Sequence, residues 1–308
     1  MIDSAQVATV QPLPLEAARA RPGRGFWRQS WDELSANTAG MAAAGVLVLL
    51  ILVAVTASLT SHFLIHYAPT AQDLNNPFSA PSRIHWFGTD ELGRDTLTRL
   101  VYGAQVTLGV GFLTVAIALT VGTAVALAAG YYGGLLDDVL MRVVDVVLAI
   151  PAVFLFILMA ILFRPTAITL AVIIASVGWA SLARLVRSEV LSLRTRDYML
   201  ATRSLGAGDL RLILRHLLPN ALPLMIVAAS LGLAQVVLIE AALDFLGLGI
   251  QPPTASWGNM LSNAQVYFVH STWLVVLPGT CIFITVLAAN LFGNAIRDAF
   301  DPRLRGAA

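Results

Sequence analysis

Most of the chain consists of long apolar runs with few charges, separated by shorter polar breaks. A helix that crosses a bilayer needs about 20 mostly apolar residues, because each residue advances it by about 1.5 Å. Runs this long are helical, and in lipid only helices and closed barrels satisfy all their backbone groups. The pattern predicts an all-α polytopic membrane protein with six transmembrane helices. The six runs cover residues 39–61, 104–127, 139–163, 166–183, 221–246 and 272–296.

The polar breaks divide the chain into a membrane domain and its flanks. Residues 1–38 form a tail that we expect to be disordered up to about residue 25 and then to form a helix at the membrane interface. The membrane domain covers residues 39–296, and residues 297–308 form a C-terminal tail. The largest break, residues 184–220, is called the basic segment here. Pro151 is expected to kink the third span, as membrane helices tolerate.

Arginines predict the orientation of the chain, because loops on the cytoplasmic side carry an excess of positive charge. With an even number of spans, both termini lie on one side. If that side is cytoplasmic, it holds fifteen arginines and the other side holds four, namely Arg83, Arg94, Arg99 and Arg164. Both termini are therefore predicted to be cytoplasmic.

Composition excludes several classes of function. Only 12% of residues are charged, against about 25% in soluble domains. The net charge of +1 gives no reason to expect nucleic acid as a partner. All nineteen basic residues are arginine, so a P-loop lysine and a Schiff-base lysine are both excluded. No catalytic residue and no metal site is expected in this chain.

The basic segment contains the signals of two short helices joined by a glycine turn. Asp197 can cap a helix that begins at Tyr198, and Gly206 can end that helix in a left-handed turn. Asp209 can then cap a second helix, and Pro219 restricts the backbone before the fifth span.

The second of these helices is predicted to be amphipathic. Arg211 and Arg215 lie together on the side opposite to an apolar face. Taken alone, the pattern fits two kinds of helix, one lying at the lipid head groups and one that docks into a cytoplasmic partner. The predicted apolar face consists of Leu210, Ile213, Leu214 and Leu217.

The stretch YMLATRSLGAGDLRLILRHLLPN (198–220) resembles the EAA motif of ABC importer permeases. Gly206 and Pro219 stand where that motif has its glycine and proline, whereas Leu200 and Thr202 replace its glutamate and second alanine. The resemblance implies a coupling helix seated in a cleft of a cytoplasmic ATPase. It assigns ATPase coupling to Leu200, Ala201, Arg203, Ser204, Gly206, Ala207, Asp209, Arg211 and Pro219.

Four further segments resemble the C-type permease of dipeptide and oligopeptide importers, in the same order along the chain. The resemblance covers about residues 26–306, and it implies the permease fold of a type I ABC importer in a bacterial inner membrane. The segments are HWFGTDELGRDTLTRLVYGAQVTL (85–108), AGYYGGLLDDVLMRVVDVVLAIP (129–151), FLGLGIQPPTASWGNML (245–261) and NAIRDAFDPRLRG (294–306).

This family resemblance also implies partners and a cargo. The chain would form half of a peptide pathway together with a related permease, above two ATPase subunits and below a substrate-binding protein. ATP and Mg²⁺ would be bound by the ATPases, with no cofactor in this chain. A nickel complex, glutathione, an opine or a sugar remains open as cargo. A secondary transporter and an intramembrane hydrolase are the rival functions.

A few acidic residues are candidates for finer roles. Glu240 and Asp244 are the acids of the fifth span, and they predict either a pathway lining that meets a peptide's ammonium group or pairing within the helix packing. Arg142 and Asp145 are expected to pair on one helix face. In the loop around residue 90, turn formation and helix capping by Thr89 and Asp90 are favoured over a cation site.

Overall fold

The computed structural model describes residues 26–163 and 165–300. The expectations for the tail up to residue 25 and for residues 301–308 lie outside the described residues. Twelve α-helices and no β-strand occur in these two ranges. The helices are α1 Phe26–Ala36, α2 Thr38–Val55, α3 Ala57–Thr60, α4 Thr96–Tyr132, α5 Gly134–Ala149, α6 Ala152–Leu162, α7 Ala167–Arg194, α8 Asp197–Ser204, α9 Asp209–Leu212, α10 Leu218–Phe245, α11 Ala264–His270 and α12 Trp273–Phe300.

Five of the predicted spans correspond to helices that are long and apolar enough to cross a membrane, and the third is broken. These helices are α2, α4, α7, the continuous helical stretch Asp209–Phe245 that ends in α10, and α12. The remaining run forms α5 and α6, which meet at an angle of 80°. The break falls at Ile150 and Pro151, because the proline ring and the missing amide stop the helix there. The expected kink is therefore a sharp bend between two separate helices.

Several helices extend well beyond the apolar runs that predict them. The helix α4 has 37 residues and starts eight residues before the predicted second span. The helix α7 continues to Arg194, eleven residues beyond the predicted end of the fourth span. Apolar length marks the part that lies in lipid, whereas the helix itself continues wherever packing stabilises its polar turns.

The most extensive helix contact joins α4 and α7, and it depends on small residues in α4. A Cβ atom added at Gly122 would lie 2.8 Å from the carbonyl oxygen of Trp179. A Cβ added at Gly130 would lie 2.7 Å from a methyl carbon of Val190. Without those atoms the two backbones approach closely, as small residues allow in membrane bundles. Thr114 adds a hydrogen bond of 3.3 Å to the carbonyl oxygen of Ala171.

The other long helices, α2, α10 and α12, pack around α4 on another side. An apolar cluster joins them, and Trp257, from the loop after α10, lies inside it with 1% of its surface exposed. The indole Nε1 of Trp257 donates to the carbonyl oxygen of Leu100, at 2.9 Å. The loop after α10 is thereby anchored to the N-terminal third of α4.

We expect Gly122→Ala to lower the thermal stability of the purified protein, because the new methyl group meets the backbone of α7. Overpacking of this kind costs about 1–3 kcal/mol. The control is Gly109→Ala in the same helix, where no other atom lies within 4 Å of the added Cβ. Differential scanning calorimetry in detergent should show a lower unfolding temperature for Gly122→Ala and not for Gly109→Ala. Equal shifts for both variants would contradict the packing described here.

Candidate functional site

After the end of α7 at Arg194, the basic segment forms two short helices around a left-handed glycine, as the sequence predicts. Gly206 has φ +81°, and no atom lies within 4 Å of a Cβ added there, so the backbone angle and not crowding requires glycine. The predicted caps are wrong in detail. Asp197 and Asp209 are the first residues of α8 and α9, and the residues before them, Arg196 and Gly208, occupy the cap positions without a side-chain hydrogen bond.

A π-helical turn at Ile213–Leu217 changes which leucines face the bundle. Leu212 and Leu217, five residues apart, are buried, because a π turn brings residues i and i+5 to the same side. Leu210 and Leu214 are 70% and 52% exposed. The predicted apolar face of the second helix is therefore confirmed for Ile213 and Leu217, which pack on a core cluster, and wrong for Leu210 and Leu214, because the prediction uses the period of a regular α-helix.

The buried side of the basic segment belongs to a core cluster. Met199, Leu212 and Leu217 pack with Tyr131 of α4 and Val190 of α7, among other residues. Every one of these five side chains is less than a tenth exposed. The segment is thus fixed to the ends of both long helices.

The opposite side of the basic segment is apolar as well, but it is exposed. Leu205, at the turn, is 88% exposed, and Leu200 is 55% exposed. Together with Leu210 and Leu214 these residues form an exposed leucine patch, flanked by the exposed arginines Arg203, Arg211 and Arg215. Of the other predicted coupling residues, Ala201 and Ser204 are exposed, and Ala207 and Pro219 are half-buried.

Tyr198, the second residue of α8, is partly exposed, with its ring 6.5 Å from the ring of His216. Partial burial raises the pKa of the Tyr198 phenol above its ordinary value. The side chain is therefore neutral at physiological pH and contributes apolar area with one polar tip.

Charged pairs tie α5 to the part of the basic segment that belongs to α7. Arg187 holds both carboxylate oxygens of Asp137, with Nε 2.5 Å from Oδ1. Arg184 donates to Asp145 at 2.5 Å, so the partner of Asp145 lies on α7 and the predicted pairing with Arg142 is wrong. Sequence spacing pointed to Arg142, since only residues on the same helix can be paired from spacing alone.

A cavity of about 430 Å³ opens between α4, α6, α7 and α10. Apolar and small side chains make up most of its lining, with polar groups from Thr114, Ser181 and Gln235. Its lining contains neither an acidic nor a basic residue. A surface of this kind offers little that would distinguish one polar solute from another.

Glu240 lies away from that cavity, inside the packing of α10 against α4. Its side chain is fully buried, and Thr107 donates a hydrogen bond of 3.1 Å to its Oε1. The same Thr107 hydroxyl accepts from the backbone amide of Trp257, at 3.2 Å. The second oxygen, Oε2, has no hydrogen-bond donor among the described residues, and the nearby carboxyl of Asp244 can supply one only if the pair holds a proton.

Asp244 shapes the loop that follows α10. Its Oδ1 accepts from the backbone amide of Ile250 at 2.6 Å, and its Oδ2 accepts from the hydroxyl of Ser256. Gly249 and Gly258 leave room for it, since a Cβ atom at either position would lie within 3 Å of Asp244 atoms. These contacts hold the loop, including Trp257, against α4.

The loop before α4 contains a second buried charge cluster. Asp90 accepts from Nε of Arg94 at 2.6 Å and lies 3.2 Å from Nε of Arg99. The helix cap is Asp95, whose Oδ1 accepts from the backbone amide of Thr98 at 2.8 Å. Asp90 forms a turn, as predicted, but the capping predicted for Thr89 and Asp90 is wrong, because α4 begins later, at Thr96.

Comparison with known proteins gives a consistent set of similarities. The profile of the family described as "Binding-protein-dependent transport system inner membrane component" matches residues 97–306. The profile of the "N-terminal TM domain of oligopeptide transport permease C" matches residues 25–81.

Curated relatives are similar over most of their length. A dipeptide transport system permease protein of Alkalihalophilus pseudofirmus is 39% identical over 91% of this chain and 90% of its own. A di/tripeptide transport system permease protein of Pseudomonas aeruginosa is 38% identical over 91% of this chain and 93% of its own. An oligopeptide transport system permease protein of Bacillus subtilis is 34% identical over 91% and 90%.

Truncation of a leucine to alanine should have different effects on the buried and the exposed side of the basic segment. Leu212→Ala should destabilise the protein by about 2–5 kcal/mol, because it empties a fully packed site. Leu210→Ala should change stability by no more than about 0.5 kcal/mol, since that side chain is exposed. Chemical unfolding of the purified chain in detergent compares the two. A larger loss for Leu210→Ala would show that the π turn does not set the register.

Proposed function

The chain belongs to the binding-protein-dependent transport system inner membrane components, and on this premise we propose that it is a permease subunit of an ATP-driven importer of di- and oligopeptides. It forms half of the translocation pathway and performs no covalent chemistry. The observation that carries the proposal is the basic segment, whose buried side is fixed to α4 and α7 while its leucine patch stays exposed. The relatives named for dipeptide and oligopeptide transport support the choice of cargo.

The exposed leucine patch is the proposed contact with an ATPase subunit. Several exposed leucines on one short polar segment mark an interaction site, because their contact with water is unfavourable. The flanking arginines Arg203, Arg211 and Arg215 suit an acidic rim on the partner. In this proposal ATP and Mg²⁺ bind to the ATPase. The permease binds neither, and it responds to the movement of the ATPase through the leucine patch.

The remaining partners follow from surfaces that the chain leaves open. The helices α5 and α6 expose apolar side chains such as Leu135, Phe154 and Ile161, which suits a related permease that completes the pathway. The loop before α4 exposes Leu74, Ile84 and Trp86, where a substrate-binding protein can dock. Both termini are proposed to be cytoplasmic on the basis of the arginine count.

The contacts of Glu240 and Asp244 favour packing over a pathway lining. Both carboxyls are buried inside this chain, and each has partners within it. Peptide selection in this proposal therefore belongs to the binding protein, and the pathway role of the two acids remains a prediction.

We expect Gly206→Val to uncouple ATP hydrolysis from peptide uptake. A β-branched residue at positive φ costs about 1–3 kcal/mol, so the turn rearranges and the leucine patch no longer matches its partner. The assay measures peptide uptake and ATP hydrolysis by the assembled complex in lipid vesicles. Uptake should fall at least about fivefold while the complex remains assembled.

The matched control for this variant is Gly208→Val, two residues away. Gly208 has φ −69°, which valine adopts without strain, and no atom lies within 4 Å of its added Cβ.

Crosslinks from the leucine patch should reach an ATPase subunit in the wild-type complex. Crosslinks to lipid alone would defeat the proposal.

Glu240→Gln tests the role of the buried carboxyl. The amide keeps an acceptor for Thr107 and gains donors for Asp244, so assembly and uptake should stay within about twofold of wild type. Gln235→Ala, at the cavity, is the comparison variant and should lower uptake. If Glu240→Gln instead reduces uptake and weakens the preference for peptides with a cationic terminus, the pathway role is right.

A further inference from the structure

One hydrogen bond joins the basic segment directly to a long membrane helix. The hydroxyl of Tyr131, at the end of α4, donates to Oδ1 of Asp209 at 2.5 Å. The two residues lie 78 positions apart, and Asp209 is the first residue of α9. A hydrogen bond to a carboxylate is short and about twice as strong as one between neutral groups.

A second contact fixes the same end of α4. Arg194, the last residue of α7, donates from Nη1 to the carbonyl oxygens of Gly130 and Tyr131, at 3.1 and 3.0 Å. Carbonyls in the last turn of a helix lack intrahelical donors, and a cation there is favoured by the helix dipole. Gly133 leaves room for the guanidinium, because a Cβ there would lie 3.0 Å from Nη1.

These polar contacts close over the apolar cluster that holds the basic segment. Tyr131 is 8% exposed, so its ring packs with Leu212 and Met199 while its hydroxyl reaches Asp209 at the rim. The end of α4 is thus held by α7, α8 and α9 together. A displacement of α9 must therefore either carry α4 along or break the Tyr131–Asp209 bond.

The helices α4 and α7 extend from this point to the cavity without a break. Thr114, in the cavity lining, lies seventeen residues before Tyr131 on α4, about 25 Å along the axis. The glycine contacts at Gly122 and Gly130 keep α4 against α7 over this distance. A movement at the basic segment therefore reaches the cavity as a movement of this helix pair.

We propose that the Tyr131–Asp209 hydrogen bond is a latch that transmits movement of the basic segment to α4, which makes both residues positioning residues for coupled transport. This inference rests on the proposed function. The apolar cluster holds α9 through contacts that have no fixed direction, whereas the hydrogen bond adds a directional contact that sets one position of α9 relative to α4.

The test uses the complete complex in lipid vesicles, with its own partner permease, ATPases and binding protein. Peptide uptake and ATP hydrolysis are measured on the same vesicles. Tyr131→Phe keeps the ring and removes only the hydroxyl. Peptide taken up per ATP hydrolysed should fall about five- to tenfold, while ATP turnover stays within about twofold of wild type.

Four further variants separate the latch from a general loss of structure. Asp209→Asn keeps the acceptor Oδ1 and should stay within about twofold of wild type, whereas Asp209→Leu should match Tyr131→Phe. The double variant Tyr131→Phe with Asp209→Leu should be no worse than either single change, because both remove one bond. Tyr132→Phe is the matched control, since this neighbouring tyrosine is 56% exposed.

The outcomes distinguish the latch from the function on which it rests. Uptake per ATP equal in Tyr131→Phe and Tyr132→Phe would overturn the latch, and so would additive losses in the double variant. A proportional fall in uptake and ATP turnover would overturn it too, because the bond would then only support the fold. Failure of the wild-type chain to support ATP-driven uptake with its partners would instead refute the proposed function.

Discussion

The close approach of α4 and α7 is the contact on which the other features of this molecule depend. Membrane helices gain little from excluding water, so they associate through close packing and a few polar contacts. In α4 this packing requires residues without a Cβ atom, at Gly122 and Gly130. The pair then serves as a rigid support: the cavity opens along it, and the basic segment is attached to its end.

The basic segment combines two requirements that rarely occur in one short stretch. It is fixed to the bundle, and in the proposed function it also presents an apolar surface to an ATPase subunit. The π turn reconciles them, because it rotates Leu217 towards the bundle while Leu210 and Leu214 stay outside. A regular α-helix with the same sequence would place leucines from both groups on one face.

The sequence predicts most of this architecture, and its failures share a physical cause. Two local signals succeed. The length of the apolar runs predicts the membrane spans, and Gly206 predicts the turn of the basic segment. The pairing of Arg184 with Asp145 and the bond between Tyr131 and Asp209 join residues far apart in the chain, and so does the packing of Leu212 and Leu217 with Tyr131 and Val190. Spacing along one helix cannot show them. Glu240 was recognisable as an unusual acid, but only its contact with Thr107 shows that it lies inside the packing.

The helices α5 and α6 meet at 80° beside Pro151. Whether this bent pair crosses the membrane decides whether the number of crossings is even or odd, and therefore on which side every later segment lies. The lengths of α5 and α6, 16 and 11 residues, correspond to about 24 and 16 Å, so neither helix alone crosses a hydrocarbon core of about 30 Å. If the pair did not cross, the seven arginines between residues 184 and 215 would lie opposite the basic N-terminal flank, against the charge asymmetry that governs insertion. The proposed orientation therefore requires the arginines at the end of α7 and beyond it to supply, during biosynthesis, the bias that keeps this bent, marginal pair across the bilayer.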